Sequence, residues 1–179
     1  MFTFPVAYLN SNNGSAILAF GEGPMLSLGS HEGIDQIDSF IESHSQAYVF
    51  MALSYDLKND LEQLESKNTD RIQFPKAILW SPKHVIRVEG ENKDYLYGTR
   101  SLESETFIED FLISESKTSF PSLNCNFSPR TEKNKYLNHV NKLKQEIRQG
   151  NIYEVNYCQE YFAENVIIEN LLDVYNKLN

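Results

Sequence analysis

Short apolar runs broken by turn residues fill the first half of the chain. Phe4 to Leu9 and Ala16 to Phe20 flank Asn10-Ser11-Asn12-Asn13-Gly14-Ser15, a turn-rich segment that predicts a hairpin. A short strand, Met25 to Leu28, follows the turn Gly21-Glu22-Gly23-Pro24. Ile34, Ile37 and Ile41 fall at helical spacing and predict an amphipathic helix within Gly33 to Ser43. Ala47 to Leu53 is the strongest strand of this half. It lacks clean alternation, which predicts cover on both faces. Asp56 is placed to cap a short helix, Leu57 to Leu64. Beyond a polar break at Lys67 to Arg71, the runs Ala77 to Trp80, His84 to Val88 and Asp94 to Tyr97 predict an antiparallel meander.

Helical spacing dominates afterwards. Leu102 to Ile113 reads as a helix, and the Ser-, Pro- and Asn-rich stretch Ser114 to Ser128 reads as a linker. Ser128-Pro129 offers an N-cap followed by a proline suited to a first helical turn. Tyr136, Val140, Leu143 and Ile147 form one stripe of the helix that follows, which predicts a buried face, and Gly150 is placed to end it. Leu171, Leu172, Tyr175 and Leu178 mark a final helix. Between the two helices lies Gly150-Asn151-Ile152-Tyr153-Glu154-Val155-Asn156-Tyr157-Cys158-Gln159-Glu160-Tyr161-Phe162. Read as a strand, it puts Ile152, Glu154, Asn156, Cys158, Glu160 and Phe162 on one face. Tyr153, Val155, Tyr157, Gln159 and Tyr161 fall on the other, an aromatic face able to pack a core.

Composition narrows the function classes. The 41% hydrophobic content, ten tyrosines and eleven phenylalanines describe a folded chain. A net charge of -9 argues against nucleic-acid and anionic-membrane partners. Residues 130 to 148 run against it with six Lys/Arg and two Glu, which fits a solvated helix face. The N-terminus carries no secretory pattern, and the two cysteines, Cys125 and Cys158, have no metal or disulfide spacing; both facts fit the cytoplasm.

Candidate chemistry is sparse. His31, His44, His84 and His139 are dispersed, so ordinary surface or core histidines are expected. The sequence holds no phosphate loop around Gly21-Glu22-Gly23-Pro24 and no nucleophile elbow at Ser54. Cys158 has no surrounding that would activate its thiol. The segment after Gly150 stands apart, since Glu154 and Asn156 share a face with apolar residues. Two readings stay open: a half-exposed strand, or a polar-lined pocket that spares both groups an unpaired burial.

The run from Tyr136 to Phe162 resembles the chorismate-utilising enzymes. In that family a helix Y-x-x-x-V-x-x-x-x-x-x-I-x-x-G leads into D-I-Y-Q-V-N-x-x-Q-x-F. Tyr136, Val140, Ile147, Gly150, Ile152, Tyr153, Val155, Asn156 and Gln159 match as they stand. Ser54-Tyr55-Asp56-Leu57, followed by Phe74-Pro75-Lys76-Ala77, is similar to the family's upstream G-Y-D-L region. Asparagine after valine is more similar to component I of aminodeoxychorismate synthases than to anthranilate synthases; isochorismate synthases are a further alternative. Asn151 stands where the family usually has Asp and Glu154 where it usually has Gln. The Leu-Leu-(Asp/Glu)-Ser motif of the family's tryptophan site is missing.

The resemblance implies an α+β, antiparallel β-rich, anthranilate-synthase-component-I-like fold, truncated. Residues 1–120 would form an N-terminal α+β region, and 121–179 the start of a chorismate-binding domain. The family's catalytic and Mg2+-binding residues would lie beyond Asn179, so no catalytic or metal residue is expected in this chain. Glu154, Asn156 and Gln159 are the ligand-pocket candidates. The resemblance also implies chorismate as substrate, Mg2+ in the intact enzyme and a glutamine amidotransferase partner that supplies ammonia. The severed strand predicts a homodimer exchanging its C-terminal arm. A non-enzymatic interaction module is the competing class.

Overall fold

A computed structural model describes residues 3–29, 33–62, 64, 69–116, 125–168 and 170–179. His31, part of the Lys67 to Arg71 break and residues 117–124 of the predicted linker lie outside the described residues. The chain divides into two compact units, Met1–Phe111 and Leu112–Asn179. Mixed helices and antiparallel sheets make it α+β.

In the first unit the predicted hairpin forms. Strands β1 (Val6–Asn10) and β2 (Ser15–Phe20) pair antiparallel, with Tyr8 opposite Leu18. The turn between them uses left-handed backbone at Asn12 and Gly14, and the Asn12 N–H donates to Asn10 Oδ1 at 2.9 Å. β2 then pairs with β6 (His84–Glu89), and β6 with β7 (Asn92–Tyr97), giving a sheet of order β1-β2-β6-β7. One face, carrying Tyr8, Leu18, Phe20, His84, Ile86 and Tyr95, meets helix α3 (Leu102–Ser116). Phe20 stacks on Phe107 at 4.4 Å between ring centres, and Tyr8 meets Phe111 edge-on at 5.1 Å. Tyr95 Oη shares a hydrogen bond with Ser104 Oγ at 2.7 Å and donates to Glu105 Oε1 at 2.8 Å, so this face carries polar as well as apolar cover.

A second sheet has the order β3 (Met25–Leu28), β5 (Ala77–Trp80), β4 (Phe50–Leu53). Leu28, Ala77 and Leu79 pack with Ile37 of α1 (Asp35–Ser43) and with Leu57. Trp80 turns to the other side and packs with Ala19 and Val85 of the four-stranded sheet, flanked by Phe50.

Several expectations are corrected. β5 does not continue into β6 as a meander. Pro82, which has no N–H to donate, interrupts the run, and the chain changes sheets between Trp80 and His84. The bend lies so close to Gly23 that a Cβ there would come within 1.9 Å of the Ser81 carbonyl oxygen. β4 begins only at Phe50 and is not covered on both faces. It lies at the sheet edge, with Met51 and Leu53 each more than half exposed. Only Val49 and Phe50 of the run pack on the core, and the apolar Met51 and Leu53 reflect neither burial nor a central position. Asp56 does not cap a helix: a 3-10 turn, Tyr55–Leu57, with Ser54 at its N-cap, leads into α2 (Lys58–Glu62), and no side chain supplies the cap.

In the second unit, α4 (Lys133–Gln149) starts at Glu132, not at Ser128-Pro129. Ser128–Pro129 is instead strand β8, which pairs with β9 (Tyr161–Phe162). Gly150 ends α4 in the left-handed region, at φ 78°, as its sequence position predicts. The predicted stripe is only half covered: Tyr136, Val140 and Leu143 are half-buried and Ile147 is exposed. The chain closes with α5 (Leu171–Leu178), capped by Asn170, whose Oδ1 accepts from the Leu172 N–H at 3.1 Å.

Candidate functional site

The segment after Gly150 is held to α4 by side chains, not by a sheet. Of residues 151 to 162, only Tyr161 and Phe162 enter a strand, so the long alternating strand predicted there is corrected to a two-residue one. Alternation sets a buried face only when a neighbouring strand is present to define the sheet. Tyr153, at 95% exposed, and Tyr161, at 63%, do not pack a core. Tyr157 does the packing alone. Its ring stacks on Tyr136 at 5.2 Å, and its hydroxyl lies 2.5 Å from His139 Nδ1. Tyr136 and His139 are one helical turn apart and so present one surface to it.

Both ends of the segment are tied down. At the start, the Asn151 N–H donates to the Glu146 carbonyl at 3.0 Å, and its Nδ2 donates to Glu146 Oε2 at 2.6 Å. An amide suits this contact, since a carboxylate at this position could not donate and would face the charge of Glu146. At the far end, the Arg130 N–H donates to the Glu160 carbonyl at 2.8 Å, and Arg130 Nη2 donates to Glu160 Oε1 at 2.9 Å. The same guanidinium lies 3.4 Å from the centre of the Phe162 ring. The hydrogen bond to Glu160 pushes the guanidinium pKa up, reinforced by the charges of Glu160 and Glu164, so Arg130 stays a cation under all ordinary conditions.

Of the three pocket candidates, Glu154 and Asn156 are exposed and Gln159 is half-buried. Gln159 Nε2 donates to the Thr131 carbonyl at 2.8 Å, which fixes the amide and leaves its oxygen as an acceptor. No hydrogen bond joins the three among the described residues. Sequence reasoning missed Arg130, counted in the basic run, and His139, counted among dispersed histidines. A signal existed for each. Glu160 and Phe162 share a parity that suits a guanidinium, and His139 follows Tyr136 by three residues.

Among the described residues, no three His, Cys, Asp or Glu side chains come together in a group able to hold a metal ion. Cys125 and Cys158 are free thiols. Also among the described residues, no helix is long and apolar enough to cross a membrane.

Helices set on antiparallel sheets define an α+β chain. The chain belongs to the family of chorismate binding enzymes, which it matches over residues 5–179. It is similar to the anthranilate synthase component I-like protein of Synechocystis sp. (strain ATCC 27184 / PCC 6803 / Kazusa). The two are 26% identical over 130 residues, which cover 70% of this chain and 26% of that protein. The chain thus spans about a quarter of the length of that relative.

Proposed function

We propose that these residues are the N-terminal part of an aminodeoxychorismate synthase component I, with the anthranilate-synthase-component-I-like fold. Such an enzyme replaces the C4 hydroxyl of chorismate with ammonia and gives 4-amino-4-deoxychorismate, on the route to p-aminobenzoate and folate. The observation that carries the reading is Asn156, directly after Tyr153-Glu154-Val155 in the segment that α4 launches. A carboxamide both donates and accepts without titrating, which suits a ligand bearing hydroxyl and carboxylate groups. Glu154, Asn156 and Gln159 are assigned to the ligand pocket. Gln159 is already oriented by Thr131, while Glu154 and Asn156 face outward and are free to meet a ligand. Mg2+, a glutamine amidotransferase partner and a cytoplasmic location belong to the same reading, for the longer protein. No step is assigned to the metal.

A second reading, an anthranilate synthase component I, is favoured by the name of the Synechocystis relative. Product analysis separates the two. The 179-residue chain, given chorismate, Mg2+ and high ammonia, is expected to show no turnover. A full-length protein carrying this segment is expected to form 4-amino-4-deoxychorismate under the same conditions. Anthranilate from the full-length protein would overturn the first reading in favour of the second. Turnover by the 179 residues alone would overturn the division of labour.

A further inference from the structure

Within the first unit, one end of the four-stranded sheet and the first turns of α3 enclose two adjoining cavities, of about 760 and 1140 Å3. Both are lined by Glu22, Lys83, His84 and Glu103. The larger has an aromatic wall. Phe4, Phe20 and Phe107 line it, with Phe107 lying 5.1 Å from Phe4 and 4.4 Å from Phe20 between ring centres. Openings of this kind, mostly apolar with a few charged groups at one side, are the usual form of a small-molecule site.

Charge selects the ligand. Among the described residues lining the larger cavity, Glu22 and Glu103 bring carboxylates and Lys83 is the one Lys or Arg. His84 is buried, and Nδ1 has no hydrogen-bond partner among the described residues. Burial, aided by the charge of Lys83, pushes its imidazole pKa below the ordinary value despite an opposing pull from Glu103, so the ring favours its neutral form. The cleft is therefore acidic at its rim and aromatic along its wall. Anions are disfavoured there, which sets the cleft apart from any site for a carboxylate-bearing substrate such as chorismate.

We infer that this cleft binds a small organic cation, an amine carrying an aromatic or apolar body, with the body against Phe4 and Phe107 and the ammonium between Glu22 and Glu103. Ammonium groups gain from both carboxylates and aromatic faces. This site lies wholly within residues 3–111 and does not depend on the proposed chorismate chemistry.

Benzylammonium, benzyl alcohol and benzoate serve as matched probes of the 179-residue chain by amide and imidazole NMR titration. Benzylammonium is expected to give saturable shifts at His84, Thr106 and Phe107, and to bind about threefold or more tightly than benzyl alcohol, the gain usual for exposed charge pairs. Benzoate is expected to bind more weakly than either. The variant carrying Glu22→Gln and Glu103→Gln changes only rim residues and is expected to keep its fold while losing the preference for the cation. Equal affinity for the alcohol, preference for benzoate, a preference that survives in the double variant, shifts mapping elsewhere, or no saturable binding would each overturn the inference.

Discussion

In residues 3–111, apolar side chains are buried on both faces of both sheets. Leu18, Val85, Ile86, Leu79 and Ile108 are fully enclosed. In residues 125–179, no apolar side chain among those described reaches the same cover, and the one buried residue is Asp173. The second unit relies on contacts that are polar, charged or aromatic: Tyr157 on Tyr136 and His139, and Arg130 on Glu160 and Phe162. A buried core gains from every atom it removes from water, whereas an exposed clasp gains only at its few contacts. The difference teaches that aromatic content alone does not specify a core. Ten tyrosines contribute to the chain's hydrophobic count, yet Tyr153 is almost wholly exposed.

Substitutions should expose this contrast. Leu18→Ala removes a fully buried side chain and is expected to cost about 2–5 kcal/mol in denaturant unfolding. Gly98→Ala comes next. Its backbone lies at φ 86°, and a Cβ would approach the Lys83 carbonyl oxygen to 2.4 Å, so a loss of about 1–3 kcal/mol is expected. Tyr157→Phe removes one hydroxyl from His139 and is expected to cost about 1 kcal/mol, read on probes in the second unit. Arg130→Ala is expected to have a smaller effect than Tyr157→Phe, because its partner Glu160 is half exposed and solvent screens the pair. If Tyr157→Phe proved as damaging as Leu18→Ala, the contrast between core and clasp would fail.

The smallest effect concerns pH. His84 binds its proton more weakly when folded than when unfolded, because burial and Lys83 disfavour the charged ring. Stability from this group is complete above the unfolded value, about 6.5, and declines as pH falls from there to the folded value. His84→Gln is expected to flatten that part of the curve. Glu105, held below its ordinary value first by the hydrogen bond from Tyr95, acts in a separate window, losing its contribution as pH falls below the usual carboxylate range.

Elements whose signal is local were legible in the sequence. The β1–β2 hairpin has its own turn, α4 has its own glycine stop, and α1 has its isoleucine spacing. What depends on distant partners was not. The apolar run ending at Leu53 reads as a central strand, but its place at an edge depends on which strands flank β5. Likewise, residues 152 to 160 alternate as a strand should, yet without a neighbour they form no ladder among the described residues. The candidate site was legible as a segment, through Tyr153, Val155, Asn156 and Gln159. Its clasp was not, since Arg130 lies 30 residues from Glu160 and meets it only once β8 and β9 pair.

Amide hydrogen exchange of the intact chain tests the contrast most directly, because it reads opening free energy segment by segment. The account predicts the slowest exchange at Leu18, Val85 and Ile86, intermediate rates within α4, and rapid exchange at Glu154 through Cys158. Protection at those five residues equal to that of β2 and β6 would contradict it.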